Sequence, residues 1–107
     1  MASLAIADSA MATAMPQLAR ELNCTSCHTI EFRRVGPAWK DIAARYRGAT
    51  TFKYNGKDYP LVEGLVMKVS RGGSGNWGTT LMPANDPSFS KKAEIEQLVK
   101  FILGLAK

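Results

Sequence analysis

The pentapeptide Cys24-Thr25-Ser26-Cys27-His28 constrains this chain more than any other feature. It holds both cysteines and the sole histidine of 107 residues. Two thiols and an imidazole so close together suit a disulfide, a redox dithiol, a metal site, or an attachment point for something larger. A disulfide across two intervening residues would close too short a loop to stabilise much. A thioredoxin-like dithiol should open a helix after a strand, inside a βαβ pattern. Here the residues before Cys24 read as helical and no βαβ pattern follows. A structural zinc site needs four ligands, usually Cys or His. The chain offers three, so carboxylates or a second chain would have to complete it.

The remaining use of C-x-x-C-H is covalent attachment of haem c. Two thiols add to the two vinyl groups of the porphyrin, and two intervening residues let a turn match the vinyl separation. The next residue, His28, then lies under the iron as its proximal ligand. Haem c is the leading reading, with a redox dithiol and a metal site as the alternatives. A second axial ligand cannot be histidine. Met11 and Met15 fall at helical spacing with Leu18 and Leu22 and read as an apolar helix face. Met1 sits at the N-terminus, and Met67 lies in a helical stretch as core or gap-filler. Met82 differs, because "NWGTTLMPAN" has loop composition and Pro83 stiffens the loop behind it. Met/His is a standard haem pairing, so Met82 is the expected sixth ligand, with a buried loop anchor as its plain alternative.

Four helical stretches follow from apolar spacing and stop signals. The first covers about Ala14 to Leu22, with Thr13 as N-cap and Pro16 in the first turn. The second is "PAWKDIAARYRG", opened by Pro37 and ended at Gly48. The third is "PLVEGLVMKVSRGG", from Pro60 to Gly72-Gly73, weakened by Gly64. The fourth is "SKKAEIEQLVKFILG", with Ser90 as cap and Gly104 as stop. Between the second and third, Asn55-Gly56 flanked by Phe52, Tyr54 and Tyr59 predicts a short type I′ hairpin over residues 51–60. Its aromatics are expected on the domain surface or over a haem edge, with a partner-binding role as the further option.

At 107 residues the chain suits one domain, expected over 14–107. Residues 1–13 are expected to be a flexible segment, either the tail of an export signal or an artefact of cloning. No apolar run approaches the ~18–20 residues that span a bilayer. The formal net charge of +5 reads either as a solvated surface or as an electrostatic face for acidic partners. Without a dense Lys/Arg run or a binding motif, nucleic acid is not an expected partner.

The motif, together with "VGPAWKDIA" at Val35–Ala43, "GGSGNWG" at Gly72–Gly78 and "MPAN" at Met82–Asn85, resembles the class I c-type cytochromes of the small bacterial c-551/c-552 (c8) type. The likeness covers most of residues 14–105. It implies an all-α cytochrome c fold, four or so helices around one covalently bound haem, with N- and C-terminal helices crossing near it. It implies haem-binding roles for Cys24, Cys27, His28, Pro37, Lys68, Trp77, Met82 and Asn85, with His28 and Met82 on the iron. Pro37 would offer its carbonyl to His28, which fixes the ring and raises its basicity. Trp77 and Lys68 would meet propionates, and Asn85 would bond the Met82 sulfur. Two departures from the family stand out: the Phe52–Pro60 hairpin, and Thr79-Thr80-Leu81 where relatives often carry prolines.

The resemblance implies a soluble one-electron carrier rather than an enzyme, exported to the periplasm, where haem c is attached. Its partners would be redox proteins, and it would be a monomer or weak oligomer. Arg20, Arg33, Arg34 and Lys40, near the motif in sequence, read either as steering charges for acidic partners or as dispersed solvated charge. Two alternatives are a dedicated haem subunit of a periplasmic dehydrogenase and, if Met82 does not ligate, a gas-binding sensor.

Overall fold

Four short helices and two small hairpins make up the computed structural model of the chain, which describes residues 15–106. The expectations for Met1, Met11, Thr13 and the 1–13 segment lie outside the described residues. Helix α1 (Gln17–Glu21) starts after Pro16, which stands at its N-cap rather than in its first turn. It ends because Asn23 adopts φ 65°, a left-handed conformation that asparagine tolerates better than most residues. That reversal feeds directly into a 3-10 turn over Cys24–Ser26, so the motif is presented on a tight bend behind a short helix. No strand precedes it among the described residues.

Helix α2 (Trp39–Arg45) is shorter than the expected span. The amides of Trp39 and Lys40 donate to the carbonyls of Thr29 and Ile30, at 2.9 and 3.1 Å. The segment after the motif thus satisfies donors that the helix leaves unpaired at its start. Trp39 is almost fully buried, edge-on to Phe101 at 6.1 Å between ring centres and tilted against His28 at 6.3 Å.

Strands β1 (Thr51–Tyr54) and β2 (Lys57–Pro60) form the expected hairpin, with Phe52 opposite Tyr59 and Tyr54 opposite Lys57. Asn55 and Gly56 both have positive φ, 51° and 78°, as a type I′ turn requires. Phe52 and Tyr54 are buried, while Tyr59 is half-buried, so the aromatics pack inward onto the domain, and Phe52 also reaches the cavity described below. The cause lies in helix α3 (Leu61–Arg71), which packs on β1. A Cβ on Gly64 would come within 2.9 Å of the Phe52 Cβ. The glycine that weakens the helix therefore lets the hairpin sit down on it.

Strands β3 (Gly73–Gly75) and β4 (Gly78–Met82) form a second, irregular hairpin around Asn76-Trp77, where loop was expected. Helix α4 (Lys92–Leu103) packs on α3 and α2 and also touches α1. Ile95, Leu98, Val99 and Ile102 form its buried stripe, as the spacing implied. Ser90 does not cap it. The buried carboxylate of Asp86 accepts the amides of Ser90 (3.2 Å) and Lys91 (2.7 Å) and the Ser90 hydroxyl (2.9 Å). No helix among the described residues is long and apolar enough to cross a membrane.

Candidate functional site

The 3-10 turn, α2, α3, α4 and the second hairpin surround one partly open, mainly apolar cavity. Cys24, Cys27, His28, Pro37, Lys68, Trp77 and Met82 all line it. Residues separated by up to 58 positions in the sequence are thereby gathered on one apolar surface, completed by Trp39, Ile42, Leu65, Leu98, Val99 and Ile102.

His28 is the most tightly specified of these residues. Its Nδ1 lies 2.8 Å from the Pro37 carbonyl oxygen, the contact that the resemblance implied. A carbonyl only accepts, so Nδ1 carries the hydrogen and Nε2 keeps its lone pair for a metal. Burial pushes the imidazole's pKa down, with the Pro37 bond opposing it, and so favours the neutral, ligating form. Gly36 closes the other side of the ring, since a Cβ there would stand 2.6 Å from His28 Cε1. Glycine at this position is a steric requirement of the imidazole's seat.

The two cysteines are not bonded to each other. Burial raises the Cys24 pKa, a backbone hydrogen bond lowers it, and the neighbouring Cys27 adds a smaller rise. A redox dithiol needs a depressed thiol pKa, so the direction runs against that alternative. A protein-only metal site also lacks its ligands: among the described residues, no three His, Cys, Asp or Glu side chains are grouped to hold an ion.

Met82 ends β4 opposite Gly73. Its position depends on Gly72, which has φ 76° and ψ −157°. A Cβ on Gly72 would overlap the Met82 carbonyl and lie 2.8 Å from the Pro83 carbonyl carbon. A side chain at this position would push the end of α3 and the Met82 segment apart. Asn85 is placed differently from the direct sulfur contact that the resemblance implied. It does not line the cavity, and its side-chain amide donates to the carbonyls of Val69 (3.2 Å) and Pro83 (3.3 Å). Both bonds tie down the loop that follows Met82.

Lys68 donates to the Gly73 carbonyl at 2.8 Å, and burial lowers its pKa. Trp77 lies under the Arg45 guanidinium, 4.5 Å from the ring centre. Arg45 also donates to the Asn76 carbonyl at 2.6 Å, and Asn76 donates to the Lys53 carbonyl at 2.9 Å. Sequence reasoning missed Arg45, Tyr54, Gly72 and Asp86. The glycine pair at 72–73 read as a plain helix stop, although a glycine next to a fixed loop is a signal for close backbone approach. At the cavity mouth, Val35 and Leu81 are 51% and 68% exposed, and Phe32 nearby in sequence is 62% exposed. Arg33 also lines the mouth, whereas Lys40 is paired with Glu31 at 2.9 Å.

An apolar cavity lined by a neutral imidazole, a thioether and two unbonded thiols at C-x-x-C spacing has the donor set of a protein that carries covalent haem. The residues fit the group: Nε2 is free, Gly36 leaves the ring its seat, and the thiols stand beside it. The chain belongs to the cytochrome c family, whose pattern matches residues 12–106. It is 43% identical over 103 residues to cytochrome c-551 of Allochromatium vinosum, covering 96% of each chain. It is 38% identical to cytochrome c-552 of Hydrogenobacter thermophilus, over 83% of this chain and 79% of that one. Among solved structures, cytochrome c552 of Nitrosomonas europaea superposes with a TM-score of 0.67 at 37% identity, over 83% of this chain and 96% of that one. The fold is therefore that of class I cytochromes c. The cofactor is one haem c, covalently attached through the Cys-x-x-Cys-His motif, and the chain is a small mono-haem electron carrier.

Proposed function

We propose that this cytochrome is a one-electron shuttle whose iron is held between His28 Nε2 and the Met82 thioether. The observation that carries the reading is that both side chains line the same apolar cavity as Cys24 and Cys27. When bound, haem c supplies an iron that alternates between Fe(II) and Fe(III). His28, kept neutral by burial and oriented by Pro37, offers a pre-set lone pair. Met82 is a soft, neutral donor that favours the reduced state and raises the potential above that of a bis-histidine site. The apolar walls exclude water, which limits reorganisation between the two states. Lys68 and Trp77 are the propionate partners. Lys68 keeps two further hydrogens beyond its bond to Gly73, and Arg45 stacks on Trp77. Asn85 acts on Met82 through the loop, by its bonds to Val69 and Pro83, rather than at the sulfur.

Electrons would pass at the cavity mouth, where exposed Val35 and Leu81 stand beside Arg33. A small apolar patch edged by positive charge suits brief encounters with redox proteins that carry acidic docking surfaces. The protein works in the periplasm, because bacteria attach haem c outside the cytoplasm. With His28 and Met82 both on the iron, no site would be left open for a substrate, which suits a carrier rather than an enzyme.

Carbon monoxide tests this reading against a gas sensor. The reduced holoprotein should show almost no change in its absorption under carbon monoxide, because Met82 holds the sixth position. Rapid, complete formation of a carbon monoxide adduct would overturn it.

A further inference from the structure

We infer that the 51–60 hairpin braces the Met82 segment, and that Tyr54 is its positioning residue; the functional half of this inference rests on the proposed Met82 ligation. Tyr54 is buried, and its hydroxyl donates to the Gly72 carbonyl at 2.9 Å. That carbonyl lies at the C-terminal end of α3, where helical carbonyls have no partner within the helix. A buried tyrosine hydroxyl needs a partner, and here it takes the one residue that no Cβ allows beside Met82.

The neighbouring residue supplies a second grip. The Lys53 carbonyl accepts the Asn76 side-chain amide at 2.9 Å. Strand β1 therefore holds the β3–β4 hairpin at two points, just before β3 and in its turn. Gly73, between them in sequence, is the cross-strand neighbour of Met82. On the far side, the amides of Asn85 and Asp86 donate to the carbonyls of Val69 (3.2 Å) and Ser70 (3.0 Å) at the end of α3. Met82 thus sits in a segment pinned to α3 after it and to the hairpin before it. The brace sets how often the segment swings away. A competing ligand reaches the iron only from that open population, so its apparent affinity scales with the open fraction.

The test is Tyr54→Phe in the holoprotein, which keeps the ring and removes the hydroxyl. Imidazole, added to the oxidised protein, displaces a methionine ligand and abolishes its weak long-wavelength absorption band. Losing one buried hydrogen bond should raise the open fraction about tenfold, so half-loss of the band should need about tenfold less imidazole. Hydrogen exchange at the Asn85 and Asp86 amides should accelerate by about the same factor. Exchange at Leu98 and Val99 in α4 should stay unchanged. Asn76→Ala should give the same pattern. Unchanged imidazole affinity and unchanged exchange would overturn the inference. Equal acceleration at Leu98 and Val99 would also overturn it, because Tyr54 would then only support global stability. A wild-type protein without the band would refute Met82 ligation and with it the functional half. The exchange pattern, which does not involve the iron, would still decide whether the brace exists.

Discussion

Gly72→Ala should dislodge the proposed sixth ligand from a position that does not itself line the cavity. Two costs add. The backbone at φ 76°, ψ −157° lies in a region open essentially to glycine alone, at roughly 1–3 kcal/mol for another residue. The new Cβ would also meet the Met82 carbonyl, with the Pro83 carbonyl carbon at 2.8 Å and the Ala84 nitrogen at 2.9 Å. These are backbone atoms that cannot swing aside like a side-chain tip, so the 82–84 segment must shift. Overpacking of this kind costs about 1–3 kcal/mol. The sum is at least about 2 kcal/mol, or about 8 °C in thermal midpoint for a domain of this size. A global midpoint alone would not locate the damage, so the absorption band of the oxidised protein is followed through the same melt. The band should fade at a temperature well below global unfolding, since the strain is released by letting Met82 go. A variant that melts within a degree or two of the wild type, with its band intact, would refute the close approach of α3 and the Met82 segment.

Asp86→Ala should lower the urea midpoint by the equivalent of about 1–3 kcal/mol, because it leaves the Ser90 and Lys91 amides without their acceptor. Ser90→Ala should cost clearly less, and the reverse order would restore Ser90 as the cap. Burial raises the Tyr46 phenol above its ordinary pKa, with Arg45 and Trp77 opposing. Above a pH of about 10 the unfolded chain has released a proton that the native state still holds, so this group makes stability fall with rising pH up to its folded value. Tyr46→Phe should flatten that alkaline decline in urea melts, whereas an unchanged slope would exclude the phenol as its source.

Much of this site was legible because its chemistry is local. Cys24, Cys27 and His28 occupy five residues, and the Asn55-Gly56 turn lies in a stretch whose composition announces it. The helices showed through their apolar stripes, α4 most clearly. What escaped was set by contacts between distant residues. "GGSGNWGTT" reads as loop, and its strands exist only because Gly73 and Met82 come opposite each other. Helix α2 begins late because Ala38 is extended, at ψ 142°, and stands as its N-cap. The hairpin aromatics were expected against the domain surface or a haem edge, but how deeply Phe52 buries depends on Gly64. The carboxylate that anchors the turn before α4 stands four residues before the serine that local pattern favoured. Each miss is a case of tertiary packing using a small or polar residue that has little signal of its own.

The central claim is that Met82 completes the coordination begun by His28. Its most direct measurement is the long-wavelength absorption of the oxidised holoprotein, compared between the wild type and Met82→Ala. The account predicts a weak methionine–iron(III) band in the wild type and none in the variant, with the covalent haem retained in both. A wild type without the band, or a variant that keeps it, would contradict the account.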